Sequence, residues 1–433
     1  MGLDDRVSTA LLTDHYELTM VSAALRDGTA DRRCVFEVFA RRLPPGRRYG
    51  VVAGTGRLIE AIGSFRFRES EVDFLAERGV VDEQTAAWLA AYEFRGDIDG
   101  YAEGELFFPG SPILTVSGTF ADCVVLETLA LSVLNHDCAV GAAAARMVTA
   151  ARGRPLIEMG SRRAHEWAAV ACARAAYLAG FAYTSNLEAG RCYGVPTTGT
   201  AAHAYTLLHD DESAAFTSQI AALGKQTTLL VDTYDISQGI RNAIAVAGPD
   251  LGAIRIDSGD LSVLAAQSRQ LLDSLGAVDT RIVVSGDLDE YAIAALAAEP
   301  VDAYGAGTAV VTGSGAPTAG LVYKLVEVEG RPVVKRSEHK ATVGGRKTAV
   351  RRHKPTGTAT EEIIVSQGSC EAQPYDRALQ RPFVRAGRPV PDLPTLDDSR
   401  EHMRQSLISI PWEGLKLSAG DPAISVVMQG ASP

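Results

Sequence analysis

Seven short apolar segments recur between residues 155 and 305, and that recurrence restricts the fold of this chain more than any other feature. They lie near 156 (Pro-Leu-Ile-Glu-Met), 181 (Phe-Ala-Tyr-Thr), 197 (Thr-Thr-Gly-Thr), 228 (Thr-Leu-Leu-Val-Asp), 253 (Ala-Ile-Arg-Ile-Asp), 282 (Ile-Val-Val-Ser) and 301 (Val-Asp-Ala-Tyr-Gly). Helical stretches separate most of them, at 165–179, 213–223, 236–247, 260–275 and 288–298. A strand, a helix and a further strand in regular alternation predict a parallel sheet with crossover helices. Seven units in about 150 residues favour a closed barrel over a doubly wound sheet.

The flanks have a different texture. Asp14-His15-Tyr16-Glu17 places an acceptor three residues before a Glu and predicts a capping box at the start of a helix. Val35 to Phe39 alternates like a half-buried strand, and the glycines and prolines between Asp97 and Gly118 predict a meander of short strands. Residues 120 to 151 are rich in Ala and Leu and read as helix, with a break expected near Asn135 to Asp137. After Val310 the pattern returns to hairpins, Leu321 to Glu327 and Val333 to Lys335 around Glu329-Gly330. Residues 354 to 433 are polar and Pro-rich, with one helix expected near 398–406.

Charge and cysteine usage narrow the function class. A net charge of −11 argues against a nucleic-acid or anionic-membrane surface, which rewards clustered positive charge. No run approaches 18 uncharged apolar residues, so no membrane span is expected. The acids at Asp4 and Asp5 stand where a secretory signal would be basic and then apolar, and Arg6 denies Gly2 a myristoylation motif. The six cysteines (34, 123, 138, 172, 192 and 370) contain no C-x-x-C pair, which predicts reduced thiols in a cytoplasmic protein.

The chemistry concentrates where the seven strands end. Glu158-Met-Gly-Ser-Arg162-Arg163 follows the first and Thr184-Ser185-Asn186 the second. Next come Gly199-Thr200-Ala-Ala-His203, Asp232-Thr233-Tyr234-Asp235 and Arg255-Ile-Asp257-Ser258-Gly259-Asp260. Ser285-Gly286-Asp287 and Gly305-Ala-Gly307-Thr308 end the last two. Loops at the C-terminal ends of parallel strands converge on one site in a barrel. Taken singly, such loops are polar because they supply helix caps, and Asp260 and Asp287 are as readily caps as ligands. Seven in succession carrying Arg, His, Asp, Ser or Gly-Thr point to a shared site. Glycine at 305 and 307 lets backbone amides approach a phosphate, and with Arg162, Arg163 and Arg255 the loops suit a substrate with more than one phosphate. Asp257 and Asp260 beside these cations suit Mg²⁺ shared between carboxylate and pyrophosphate oxygens, without defining a ligand set. Among eight histidines, His203 alone sits in such a loop, where a neutral imidazole can attack a phosphoryl group. His136, His165, His209, His339, His353 and His402 lack a comparable setting.

Together these segments resemble the nicotinate phosphoribosyltransferase family. The resemblance rests on Thr13-Asp-His-Tyr16-Glu-Leu, Glu158-x-Gly-x-Arg162-Arg163, Thr184-Ser-Asn, Gly199-Thr-x-x-His203, Val231-Asp-Thr-Tyr, Arg255-x-Asp-Ser-Gly-Asp260 and Gly305-x-Gly-Thr-x-Val-Val-Thr312, in the family's order over residues 10 to 350. It implies an α/β fold, an irregular (β/α) barrel with a second α+β domain built from the N- and C-terminal segments. The corresponding division is 1–120, 121–320 for the barrel, and 321–433. It also implies a homodimer with shared active sites. The reaction it implies joins nicotinic acid to 5-phosphoribosyl 1-pyrophosphate, giving nicotinate mononucleotide and pyrophosphate for NAD synthesis, coupled to ATP hydrolysis through a phosphohistidine.

Residue by residue, the resemblance makes His203 the phosphorylated histidine. Tyr16, entering from the partner subunit, together with Thr200 and Arg255, would contact nicotinate. Arg162, Ser258, Gly286, Gly305, Gly307 and Thr308 would contact phosphoribosyl pyrophosphate. Because ribosyl transfer passes through an oxocarbenium-like cation, a carboxylate near the ribose is expected, and Asp257 is the candidate. Met159 departs from the family, which usually carries an aromatic there. The amide-using relative, nicotinamide phosphoribosyltransferase, places an acid at the strand end that reads Thr184-Ser185-Asn186 here, so the neutral residues favour the acid substrate. A phosphosugar aldolase would want a strand-borne Lys, and none of the seven segments carries one. A catalytically dead barrel would have no use for His203, Arg255 and the acidic loop.

Overall fold

The computed structural model describes residues 8–335, 343–366 and 370–430; the N-terminal acids read above and His339 lie outside them. The chain divides into two compact units, one formed by Met1–Ala142 with Ala316–Pro433 and the other by Ala143–Gly315. The first boundary falls inside one long helix, Glu127–Ala151.

In the unit 143–315, six parallel strands form one sheet that curls like half a barrel. Their spatial order is Tyr183–Thr184, Leu156–Glu158, Ala303–Ala306, Arg281–Gly286, Ala253–Ile256 and Thr228–Leu230. Ile254, Ile256, Ile282, Val284, Leu229 and Tyr304 are fully buried, because helices cover a parallel sheet on its faces. The segment near 197, expected as a seventh strand, is reduced to a single parallel bridge from Thr197 to Thr184. Its Thr-Thr-Gly-Thr composition offers little apolar side chain to bury, which explains why no ladder extends there. Register then aligns the strand ends. Glu158 stands opposite both Thr184 and Ala306, and Gly286 opposite Ala306. Five of the following helices begin on a side-chain acceptor, namely Asn186, Asp211, Asp235, Asp260 and Asp289.

The other unit interleaves the two ends of the chain. Its seven-stranded antiparallel sheet runs Arg331–Pro332, Leu321–Val328, Arg33–Ala40, Leu114–Thr119, Asp97–Tyr101, Gln380–Arg385 and Arg388–Pro389. A second sheet joins Arg377–Ala378, Thr348–His353, Ala359–Val365 and Ser425–Gln429. Residues 354–430 thus hold several strands besides the helix Leu396–Ser409, more than their polar composition suggested. Ile363, Ile364, Phe383 and Val384 are buried, the last two on the strand Gln380–Arg385 that pairs with the distant Asp97–Tyr101. Three local expectations are corrected here. Arg33–Ala40 is buried on both faces, not alternately, because Phe36 and Val38 pack in the hydrophobic core while Glu37, on the opposite face, is buried against Lys347 at 2.7 Å. Glu17 does not box the helix His15–Asp27; it is fully buried and accepts from Thr13 and from Thr128 instead. The helix Glu127–Ala151 runs unbroken through 135–137, and the interruption falls earlier, after Val124. Asn135 spends its amide on both backbone groups of Leu321, and Asp137 pairs with Arg57 at 2.8 Å, so neither competes for the helix backbone.

The stretch Phe120–Ala151 is long and apolar enough to cross a membrane, with mean hydropathy 1.4, yet 67% of that window is buried in the protein. Leu126, Leu129, Leu134 and Cys138 lie in the core of its unit, so it reads as a core helix. None of the six cysteines, all among the described residues, is in a disulfide.

Candidate active site

Aligned strand ends make the loops of the parallel sheet open at one level, and a cavity of about 520 Å³ lies among them. Of the residues singled out in the sequence, Arg162, Thr200, Arg255, Asp257, Gly286, Gly305, Gly307 and Thr308 line it. Arg163, Asp287, Ser161, Ser185 and Ser285 join them. The caps explain which polar residues are spoken for. Asp260 accepts from Val263 N and so holds a helix start; Asp287 does not, because Asp289 performs that task. Gly286 has φ +131°, and a Cβ there would stand 3.1 Å from the Asp257 carbonyl oxygen, so a side chain would be strained by its backbone and crowded by its neighbour.

Arg255 projects from the strand Ala253–Ile256. Its Nη1 donates to the Thr200 hydroxyl, while Nε is buried without a partner. Burial draws its pKa down despite the nearby Asp257 and Asp232. A desolvated guanidinium facing a cavity is a site for a planar anion. Asp257 accepts the Ser285 hydroxyl on Oδ1 at 2.5 Å, and its amide donates to Asp232 Oδ2 at 2.8 Å. The Asp232 side chain is buried; Oδ2 also takes the Ser258 hydroxyl at 2.8 Å, and Oδ1 lies 3.8 Å from His203 Nε2. The other ring nitrogen of His203, Nδ1, is 3.1 Å from Thr233 Oγ1. His203 is partly exposed at the start of the helix His203–Leu207 and does not line the cavity. It approaches the Asp257 loop through Asp232, which the sequence marks at a strand end and in the motif Val231-Asp-Thr-Tyr without giving it a role.

The remaining assignments separate. Ser258 is turned to Asp232 and is not among the lining residues. Tyr16 belongs to the unit of the chain ends, on the helix His15–Asp27, and is 44% exposed. Burial, then Glu127, push its phenol up to about 12, so it is neutral. The other described histidines named above are held locally: His136 by Asp137, His165 as the cap at Trp167 N, His209 by the Tyr205 carbonyl, His353 by the Tyr375 carbonyl and His402 by Glu105. Among the described residues no three or more His, Cys, Asp or Glu cluster as metal ligands. Asp257 and Asp287 stand on the cavity wall. No lysine lines the cavity among the described residues.

Comparison with known proteins gives a consistent answer. Residues 11–135 match the nicotinate phosphoribosyltransferase (NAPRTase) N-terminal domain. The chain is 61% identical over 431 residues to a nicotinate phosphoribosyltransferase of Mycobacterium tuberculosis, covering 97% of this chain and 95% of that protein. It is 37% identical over 359 residues to the nicotinate phosphoribosyltransferase of Bacillus subtilis, covering 79% and 73%. Human nicotinic acid phosphoribosyltransferase superposes with a TM-score of 0.83 at 28% identity, over 97% of this chain and 98% of the human one.

Proposed function

We propose, from the premise that the chain belongs to the nicotinate phosphoribosyltransferase family, that it joins nicotinic acid to 5-phosphoribosyl 1-pyrophosphate, releasing pyrophosphate and forming nicotinate mononucleotide for NAD synthesis. The observation that carries this reading is one cavity at parallel strand ends holding three arginines, Arg162, Arg163 and Arg255, beside Asp257. Arg255 and Thr200 receive the nicotinate carboxylate; the pyridine nitrogen is already a free nucleophile and needs no base. Arg162, Thr308 and the backbone at Gly286, Gly305 and Gly307 hold the phosphates. Ser258 remains a candidate phosphate contact through its loop, although its hydroxyl is engaged by Asp232. Asp257 faces the ribosyl cation and stabilises its charge. Mg²⁺, held by Asp257 or Asp287 with pyrophosphate oxygens, would neutralise the leaving group. Ser185 presents a hydroxyl, not a carboxylate, to the cavity, which suits an acid substrate better than an amide.

The unit 143–315 is, on this reading, an irregular barrel, and the chain ends form the second domain. The enzyme is a cytoplasmic homodimer in which Tyr16 stacks on nicotinate in the partner's site. ATP serves as co-substrate: His203 takes its γ-phosphoryl, ADP leaves, and hydrolysis of the phosphohistidine drives a more committed state. His203→Ala tests the coupling. It should abolish ATP hydrolysis and acid-labile ³²P incorporation, and leave slow, ATP-independent formation of nicotinate mononucleotide. Label on another residue, or ATP stimulation that survives, would overturn the assignment.

A further inference from the structure

Glu158 ends the first strand of the parallel sheet and is 1% exposed, and the reaction just described leaves it without a task. Both its oxygens are committed to neutral donors: Oε1 accepts from the Gly160 amide and Oε2 from the Thr184 hydroxyl at 2.6 Å. Among the described residues no cation pairs with it, and burial raises its pKa. A buried carboxylate without a counter-charge is costly, and an apolar side chain would fill the space at less expense. Its hydrogen bonds are therefore what set it apart.

Those bonds belong to a closed ring. Thr184 Oγ1 accepts in turn from the Asn186 amide at 3.0 Å, and Asn186 Nδ2 donates to Ser161 Oγ at 3.0 Å. Ser161 follows Gly160, whose amide returns to Glu158. Beside the ring, the Ser185 amide donates to the Glu158 carbonyl at 2.8 Å. One carboxylate thus ties the turn Ser161–Arg163 to the loop after the second strand, and both reach the cavity, through Ser161, Arg162 and Ser185. The ring requires acceptors at Glu158. Gly160 N–H can only donate, and Thr184, already accepting from Asn186, directs its proton to Oε2.

We propose that Glu158 is a positioning residue for the phosphoribosyl pyrophosphate site, its carboxylate setting the turn that aims Arg162 into the cavity. The inference rests on the assignment of Arg162 to that substrate. Glu158→Gln keeps the volume but turns one acceptor into a donor. In initial-rate assays of the full-length enzyme with ATP and Mg²⁺, it should raise KM for phosphoribosyl pyrophosphate about tenfold, the scale of one hydrogen bond to a charged group. KM for nicotinate and the thermal midpoint should move little. Thr184→Val cuts the same ring at its other end and should reproduce the effect, and the double variant should be no worse than either single one. A lowered thermal midpoint with kcat and both KM values unchanged would make Glu158 structural, and additive losses in the double variant would break the ring. Arg162→Ala separates the two levels. If it leaves KM for phosphoribosyl pyrophosphate unchanged, the Arg162 assignment falls and this inference with it. If it raises that KM while Glu158→Gln does not, the inference alone is overturned.

Discussion

The two units bury charge in opposite ways. In the unit of the chain ends, Arg351 has no exposed side-chain surface and bonds both Glu105 and Glu362. Glu105 also takes Arg377 at 2.6 Å and His402 at 3.0 Å, and Glu362 takes Tyr101 at 2.7 Å. Burial works against the charge of Glu105, yet Arg351, the hydrogen bond with His402 and Arg377 hold its carboxyl well below the usual range. In the unit 143–315, the charges at the strand ends meet hydroxyls and amides: Arg255 bonds Thr200, Asp232 bonds Ser258, and Glu158 bonds Thr184. That unit can make a buried pair, since Arg146 and Glu290 meet at 2.9 Å, but neither lines the cavity. Charge closed on opposite charge holds a fold together. Charge left on neutral partners beside a cavity is completed by what binds there.

The comparison predicts where substitutions hurt. The largest loss of stability should follow Arg351→Met, which takes the cation from buried Glu362 and leaves Glu105 only Arg377 and His402. Removing one partner of a buried pair costs about 3–5 kcal/mol, read from denaturant unfolding. A loss below about 1 kcal/mol would show that the cluster does not hold its unit. Arg255→Ala should move activity more than stability. Losing a charge-assisted contact in a desolvated site costs about 2–5 kcal/mol, seen as a steep rise in KM for nicotinate and a compressed preference for acid over amide. The unfolding midpoint should hold, because among the described residues no carboxylate bonds Arg255. Unchanged discrimination would reassign it to a phosphate or to structure.

The smallest effect concerns an exposed pair in the first of these units. Asp82 caps the helix Glu83–Ala90, and hydrogen bonds from Thr85, then from Arg26, hold its pKa down to about 2. A depressed carboxylate contributes stability above its unfolded pKa of about 3.9 and loses it as pH falls toward 2. Asp82→Asn should therefore lower the thermal midpoint slightly at neutral pH and converge with the parent protein below about pH 2. A gap that widens on acidification would place the effect elsewhere.

What could be read in advance followed the range of the interactions. Most strands and helices between 155 and 310, though not the segment near 197, were legible because they announce themselves locally, by a buried apolar run and often a capping acceptor such as Asp235 or Asp289. The cavity residues were legible because a parallel sheet sends its strand ends to one face. Glu17 was not, since its bonds go to Thr13 and Thr128, the latter 111 residues away. Nor was the strand Gln380–Arg385, whose partner Asp97–Tyr101 lies on the far side of the other unit in the sequence.

The sequence by itself determined the order of the elements and the residue types delivered to the strand ends, because apolar period, caps and turns act over a few positions. Tertiary structure alone decided what those residues became. Asp260 was spent on a helix start while Asp287 stayed on the cavity wall. Asp232 was placed between His203 and the Asp257 loop, and Glu158 was drawn into a ring spanning two loops. Hydrogen bonds across a sheet depend on register, and register is set by the whole sheet and not by any one strand.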